Sequence, residues 1–371
     1  MQNLLKRFKD VASNPAKQKD DYLAAGKKIV LVAPVYTPEE IVHSMGLIPF
    51  GAWGADVQLQ EAKEYFPAFI SSFIQSIVEL GIKGTYKGAS ALIVPALCDS
   101  LKCVGQNWKY AVKDIPFIQM TYPQNRRPDF GKAFCKAGYE RVIADLEKAT
   151  GAKFCEDELK KSIELYNEHN AAMRDLSEVL ADHPEVSNAD RSNVFKSAFF
   201  MEKSEHLALV KELLSALKAA PGSDEKKIRI MTTGILCDSP SLLEVLDSLG
   251  YQVVADDIAA ESRQYRTDAP TNLAGLDAMA EKFANMDHCS VLYDVDRKKV
   301  DLIADTVQAR GAKGVVFVLT KFYDPEEFDY VSVKKMCESK SIPLVLIEVD
   351  RQMTNYEQAR TALESFRDII G

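Results

Sequence analysis

The chain has 371 residues, of which 47% are apolar, and a formal net charge of −8. It is long enough for two domains with full-sized cores. The acidic balance argues against nucleic acid as a partner, and no run of about 18 apolar residues predicts a transmembrane helix. The first residues lack the apolar stretch of a secretory signal. Seven cysteines, an odd and scattered number, favour a reduced cytoplasmic protein.

Strands and helices alternate in the first third of the chain. A Thr-Pro-Glu-Glu start predicts a helix from Thr37 to about Met45, and apolar residues at helical spacing predict a second helix over 65–80. A further helix is expected to begin near Ser100. This alternation predicts a parallel sheet with helices on both faces. The predicted strands are 28–32, 47–51, 90–94 and 115–120.

The rest of the chain divides into a helical stretch and a second alternating unit. Glu, Lys, Leu and Ala at helical spacing predict helices over most of 131–224. The alternation then restarts, which predicts a second parallel sheet of similar design. We therefore expect an N-terminal helix plus a first α/β domain over 1–130, a helical bridging region over 131–224 and a second α/β domain over 225–371. The strands predicted for the second domain are 227–231, 251–255, 314–320 and 342–348.

Chemically useful residues follow several of these strands. Cys98 ends the third strand and Cys103 lies five positions later, while Cys237 and Lys321 follow strands of the second unit. The carboxyl ends of parallel strands are where open α/β sheets bind ligands. A Cys-x₄-Cys spacing is only a weak metal signal, since free cysteines often pack as small apolar side chains. The five histidines show no spacing typical of a zinc site.

Several common sites are excluded by their motifs. The chain has no GxGxxG opening a helix, no GxxxxGK[ST] and no GxSxG. We therefore expect neither dinucleotide binding of the usual kind nor ATP hydrolysis by this chain.

A set of short stretches, in order along nearly the whole chain, resembles the smaller (β) subunit of the 2-hydroxyacyl-CoA dehydratases, relatives of the benzoyl-CoA reductases. The stretches are PVYTPEEI (34–41), EYFPAF (64–69), CDSLKCVGQNWK (98–109), YPQNRR (122–127), YNEH (166–169), DDIAAESRQYRTDAP (256–270), KFYDPEEFDY (321–330) and EVDRQMTNYEQARTALESF (348–366).

The resemblance implies two flavodoxin-like α/β domains with a helical insert, in one subunit of a heterodimer. Such heterodimers remove water from (R)-2-hydroxyacyl-CoA to give (E)-2-enoyl-CoA. A separate iron–sulfur ATPase donates one electron, which makes a ketyl radical that expels the hydroxyl group. The electron returns at the end, and iron of a [4Fe–4S] cluster in the larger subunit is thought to bind the leaving hydroxyl as a Lewis acid.

Relatives that hold a cluster in this subunit use three cysteines. The corresponding positions here are Ser71, Cys98 and Tyr323, so only one thiol remains. Because clusters bind thiolates, we expect no cluster in this chain. The alternative ligand set is Cys98, Cys103 and Cys237. The vacated pocket, with Lys321 beside it, is either an empty structural pocket or a site for flavin mononucleotide, which some relatives carry.

Other polar residues have structural alternatives. Arg263, Arg266 and Asp268 are substrate-binding candidates, because Arg suits bidentate contacts with carboxylate or phosphate. They are equally typical of an interdomain or intersubunit ion-pair network. His43 is expected to be a packed core residue, and the two tryptophans, Trp53 and Trp108, are expected to be core or subunit-interface residues. The acids at 324, 326 and 327 open a helix and suit its dipole.

Two functional hypotheses follow. In the first, the chain is a dehydratase subunit that acts with its larger partner, the activating ATPase and an acyl-CoA, with 2-hydroxyglutaryl-CoA the first substrate to test. Lactoyl-CoA and longer 2-hydroxyacyl-CoA thioesters are alternatives. In the second, it is a non-catalytic electron-transfer, scaffold or small-molecule-binding member of the same fold.

Overall fold

Two four-stranded parallel sheets, each flanked by helices, form the framework of the protein. The computed structural model describes residues 1–223 and 225–371. The strand order is β2-β1-β3-β4 in the first sheet and β6-β5-β7-β8 in the second, and every strand pair is parallel. The predicted α/β class is confirmed. The predicted domain boundaries stay a prediction, and residue 224, which ends the predicted helical region, lies outside the described residues.

The first sheet is built from short, mostly apolar strands, and all but its last strand are buried on both faces, as covered parallel sheets require. Its strands β1 to β4 are Ile29–Val32, Ile48–Gly51, Ala91–Pro95 and Phe117–Met120. The helices of this part, α1 to α5, are Gln2–Ser13, Pro15–Ala24, Glu39–Ser44, Ser72–Ile82 and Asp99–Ala111.

Four long helices then connect the two sheets. One cluster of buried apolar side chains joins α1 to the last three of these helices, separately from the core around the sheets. The helices α6 to α9 are Asp129–Thr150, Glu156–Leu180, Asn188–Ser197 and Lys203–Ala219.

The second sheet repeats the topology of the first. Its strands β5 to β8 are Ile228–Gly234, Tyr251–Ile258, Gly314–Thr320 and Leu344–Val349. Its helices α10 to α14 are Pro240–Ser248, Gly275–Asn285, Lys298–Arg310, Asp324–Ser339 and Glu357–Ile370. No helix in the described part of the chain is both long and apolar enough to cross a membrane.

The helix predicted over 65–80 is wrong at its start. The structure has a short 3₁₀ helix at Glu61–Glu64, and α4 begins only at Ser72. Pro67 explains the gap, because proline disfavours helical backbone at the residue before it. The buried Glu79 carboxylate accepts hydrogen bonds from the backbone N–H groups of Gln60 and Ala62, which holds the 3₁₀ helix against α4.

Two other predicted boundaries also move. Thr37 does not cap α3, because its hydroxyl donates to the Ala33 carbonyl at 2.7 Å, and the helix begins at Glu39. Strand β6 runs on to Ile258, so Asp257 lies within the strand rather than after it. The hydroxyl of Thr233 on β5 donates to the Asp257 carboxylate at 2.9 Å, which satisfies that buried acid.

Candidate functional site

The carboxyl ends of the two sheets face each other across a cleft, and side chains join its walls. The Tyr36 hydroxyl, just after β1, donates to Sγ of Cys289 at 3.0 Å. The Ser72 hydroxyl donates to the carboxylate of Asp350, after β8, at 2.6 Å. Since ligands of α/β sheets bind at this edge, the cleft is the candidate functional site.

Three helix N-termini meet in the cleft. They carry the three residues that the sequence analysis set against the cluster-binding cysteines of relatives. Ser71, Cys98 and Tyr323 are the N-cap residues of α4, α5 and α13, and none makes a side-chain capping bond. Residues from the first turns of α4 and α5 line a small cavity against Tyr323. Each N-terminus directs a positive partial charge into the pocket.

The donor set of this pocket does not fit an iron–sulfur cluster. Cys98 is the one thiol among the three residues, and burial raises its pKa, opposed by the backbone N–H groups of Leu101 and Ser100. The Ser71 hydroxyl is fully buried without a partner among the described residues. Tyr323 is 5% exposed, and burial raises the pKa of its hydroxyl well above the usual value. Clusters need thiolate ligands, and a buried neutral phenol is a poor substitute.

The remaining predicted pocket residues are placed apart from this trio. Cys103 is half-buried within α5 and packs against the core, and Cys237 is buried after β5. Lys321 is partly exposed, and its ammonium group lies 3.8 Å from the Glu348 carboxylate. Across residues 1–223 and 225–371, no three or more His, Cys, Asp or Glu side chains are arranged to hold a metal ion. The structure therefore does not assemble Cys98, Cys103 and Cys237 into a ligand group.

Behind Tyr323 lies a buried ion network of the second domain. Arg263, 4% exposed, contacts the carboxylate of Asp257 at 3.0 Å and that of Glu326 at 3.3 Å. Lys299 contacts Glu326 at 3.0 Å and Asp329 at 3.2 Å. Buried charges persist where they are paired and hydrogen-bonded, as these are.

The network fixes the charge states of its members. Burial alone would raise the pKa of Glu326, but Lys299, Arg263 and the Ser290 hydroxyl outweigh it, so the pKa lies below its usual range. Burial would also raise the pKa of Asp257, and Arg263 and Arg266 hold it low instead. The hydrogen-bonding groups of the Arg263 guanidinium are therefore used by residues of its own domain.

Arg266 and Asp268 lie on the outer side of the same domain. Arg266 is partly exposed and donates to Asp257 at 2.6 Å. Asp268 accepts from both terminal nitrogens of Arg174 on α7, at 3.0 and 2.8 Å. This pair ties the second domain to the bridging helices.

A second chamber of about 70 Å³ lies beside Tyr36, between the first domain, the bridging helices and the part of the second domain around α11. Two ion pairs lie in its wall: Glu39 with Lys203 at 3.3 Å, and Glu40 with Lys282 at 2.5 Å. The pairs connect α3 to α9 and α11 and so hold the first strand end against the rest of the molecule.

The aromatic and histidine residues singled out in the sequence serve packing. Trp108 is fully buried and donates to the Ile115 carbonyl at 2.9 Å, and Trp53 stacks near Phe199. His43 is not fully buried: it contacts Ser162 and lies 3.0 Å from the Glu202 carboxylate.

Sequence reasoning missed Lys299, Cys289 and Tyr36. Lys299 lies in a helix between two strands, where a lysine usually marks a solvated face. Only the concentration of acids around 256–257 and 324–329 signalled that a buried cation was needed.

Comparison with known proteins gives a consistent result. The family model described as 2-hydroxyglutaryl-CoA dehydratase, D-component, matches residues 34–370. The chain is 44% identical to the (R)-phenyllactyl-CoA dehydratase beta subunit of Clostridium sporogenes, covering 98% of this chain and 97% of that protein. It is 39% identical to the lactoyl-CoA dehydratase subunit beta of Anaerotignum propionicum, covering 99% and 98%. It is 34% identical to the (R)-2-hydroxyglutaryl-CoA dehydratase subunit beta of Acidaminococcus fermentans, covering 99% of both.

Proposed function

Because the chain belongs to the 2-hydroxyglutaryl-CoA dehydratase D-component family and is a 2-hydroxyacyl-CoA dehydratase beta subunit, we propose the following reaction. With its larger subunit, it removes water from an (R)-2-hydroxyacyl-CoA to give the (E)-2-enoyl-CoA. The electron that starts the reaction comes from a separate iron–sulfur ATPase. The observation that carries the proposal is end-to-end similarity to three beta subunits whose names share this thioester class.

We propose that this chain holds no cluster of its own and contributes only protein side chains to the cleft. The support is chemical: a serine, one thiol of raised pKa and a buried phenol line the pocket where three thiolates would be needed. No step of the reaction is assigned to these three residues. The cluster that binds the leaving hydroxyl belongs, in this proposal, to the larger subunit.

The acyl group is also a matter of proposal. The sequence led us to expect 2-hydroxyglutaryl-CoA, but the identity to the phenyllactyl-CoA protein is 44%, against 34% for the 2-hydroxyglutaryl-CoA protein. We therefore propose (R)-phenyllactyl-CoA as the first substrate to test, followed by lactoyl-CoA and 2-hydroxyglutaryl-CoA. Activity with the dicarboxylic substrate alone would reverse this order.

Flavin mononucleotide is a secondary proposal. Lys321 is 44% exposed and only loosely paired with Glu348, so its ammonium group is available to a phosphate. Anaerobic purification followed by flavin analysis tests this, with Lys321→Met as the matched variant. Equal flavin content in both proteins would remove Lys321 from the proposal.

Co-expression with the larger subunit tests the function. We expect a heterodimer in sedimentation at micromolar concentration, with an interface that buries more than ~1,000 Å². Adding the activating ATPase, ATP and a reductant should then give enoyl-CoA from the thioesters. A mixture that stays monomeric and turns over equally well without this chain would favour the alternative function, a non-catalytic electron-transfer, scaffold or small-molecule-binding protein.

A further inference from the structure

A groove away from the interdomain cleft opens between α7, α12 and the outer edge of the second sheet. Its volume is about 190 Å³. The edge strand β6 forms its floor at Ala255 and Asp256. Three guanidinium groups, from Arg174, Arg266 and Arg310, line it, and we call it the arginine groove.

The three arginines keep donors to spare. Each guanidinium has five N–H donors. Arg310 uses its Nη2 to reach the Glu178 carboxylate at 2.8 Å. Arg266 is held from behind by Asp257, and Arg174 is held by Asp268 and by the Tyr265 carbonyl at 2.6 Å. These partners, of which Glu178 and Tyr265 also line the groove, orient the three side chains, which lowers the cost of ordering them around a ligand.

The remaining wall suits an anionic group attached to a larger molecule. Hydroxyl groups of Ser177, Ser262 and Thr306 line the groove beside the guanidinium groups. Met173 and Leu302 provide apolar surface next to them. The lining of the groove is therefore mostly polar, with a small apolar patch beside the guanidinium groups.

The acids of the groove do not oppose an anion strongly. The Asp256 carboxylate is buried, pairs with Arg191, which it shares with Glu261, and accepts from the backbone N–H of Ser262 at 3.0 Å, so its charge is partly compensated. The Glu178 side chain is 63% exposed, so it is free to turn into solvent. An exposed ion pair such as Glu178 with Arg310 contributes little to stability and yields easily to a doubly charged ligand.

We propose that the arginine groove binds a phosphate group. Guanidinium groups match the geometry of phosphate oxygens bidentately and stay charged at any physiological pH. The site does not depend on the acyl chemistry or on the cleft. Three sources supply such a group: the 3′-phosphate of a coenzyme A thioester, a nucleoside diphosphate and free phosphate.

Titration calorimetry of the full chain with inorganic pyrophosphate, at low ionic strength, tests the groove. We expect Arg310→Met to weaken binding about tenfold. The control is Arg367→Met, which loses the same charge in the last turn of α14, as Arg310 lies in the last turn of α12, and should leave binding unchanged. Glu178→Gln, a surface change that does not threaten folding, should tighten binding. Saturable binding that is equal in all four proteins, or no binding in any, would overturn the proposal.

Three further ligands identify the source of the phosphate. Coenzyme A binding about tenfold more tightly than dephospho-coenzyme A assigns the groove to the 3′-phosphate. Equal binding of these two and of ADP assigns it to a diphosphate, and binding of inorganic ions alone assigns it to free phosphate. With each of these ligands, Arg310→Met should bind more weakly than the natural chain. Equal binding by the two proteins would contradict the proposal.

Discussion

The hydroxyl group of Tyr36 in the first domain donates a hydrogen bond to Sγ of Cys289 in the second domain, at 3.0 Å, and both residues are buried. This contact joins the end of β1 to the irregular segment between α11 and α12, 253 residues away in the chain. It therefore reports on closure of the cleft rather than on either domain alone.

The two partners of this bond should respond differently to removal. Tyr36→Phe removes the donor and should lower the free energy of unfolding by about 1 kcal/mol. Cys289→Ala leaves a buried hydroxyl without a partner and should cost more, about 1–3 kcal/mol. Urea unfolding measures both, and Tyr110→Phe, 74% exposed, is the control. Additive losses in the double variant would show that the contact is not energetically coupled.

Arg263 should be essential for folding rather than for binding substrate. Arg263→Met leaves Asp257 and Glu326 buried with one cation fewer, which should lower the free energy of unfolding by about 3–5 kcal/mol. Arg266→Met should cost less, because that side chain is partly exposed. Denaturant unfolding compares the two variants. An Arg263→Met protein that is stable but has impaired activity would instead favour the prediction that Arg263 binds substrate.

The histidine pair of the bridging helices should make the protein sensitive to mild acid. His169 Nε2 lies 2.8 Å from His206 Nδ1, and both rings are fully buried. Burial, assisted by Lys203, lowers the pKa of His206 to about 3 and that of His169 well below its ordinary value. The unfolded chain therefore binds more protons below about pH 6.5, so this stability is present above that pH and is lost as pH falls.

The size of this effect is measurable between pH 6.5 and 5. One such histidine should cost about 2 kcal/mol over this interval. Glu261 acts in the opposite direction, since burial raises its pKa to about 7 and its contribution weakens as pH rises from about 4.5. Urea unfolding at several pH values should therefore show a flatter profile for His206→Gln and a steeper acid loss for Glu261→Gln. Identical profiles in all three proteins would contradict the assignment.

Introducing two cysteines should create a cluster site. In Ser71→Cys/Tyr323→Cys, three thiols would occupy the N-caps of α4, α5 and α13, and anaerobic reconstitution should load about four irons per chain. Adding Cys98→Ala to this double variant should abolish the gain. In the otherwise natural chain, Cys98→Ala should leave iron unchanged and lower activity only modestly. Iron that the natural chain binds and Cys98→Ala loses would favour a ligand set with Cys103 and Cys237.

The sheets could be predicted from sequence because buried parallel strands are short apolar runs between helical patterns. Gly314–Thr320 has the predicted bounds, and the other strands shift by one to three residues. The start of α4 could not be predicted from periodicity. It depends on Pro67 and on a carboxylate, Glu79, that bonds backbone groups seventeen and nineteen residues away.

The site was only partly predictable for a different reason. Residues at strand ends share an edge by topology, so the meeting of Cys98 and Tyr323 follows from the fold. Their electrostatic surroundings do not, because Lys299 comes from a helix and Cys289 from an irregular segment. Such partners are chosen by three-dimensional packing, which leaves no local pattern in the sequence.

Helix α1 has a consequence for the order of events during synthesis. Its apolar residues Leu5 and Phe8 are buried with Phe195 and Leu213 of the bridging helices, about 200 residues later in the chain. At about 5–20 residues per second, the ribosome needs ~10–40 s to deliver these partners. The apolar face of α1 is therefore exposed to chaperones until these partners have been made.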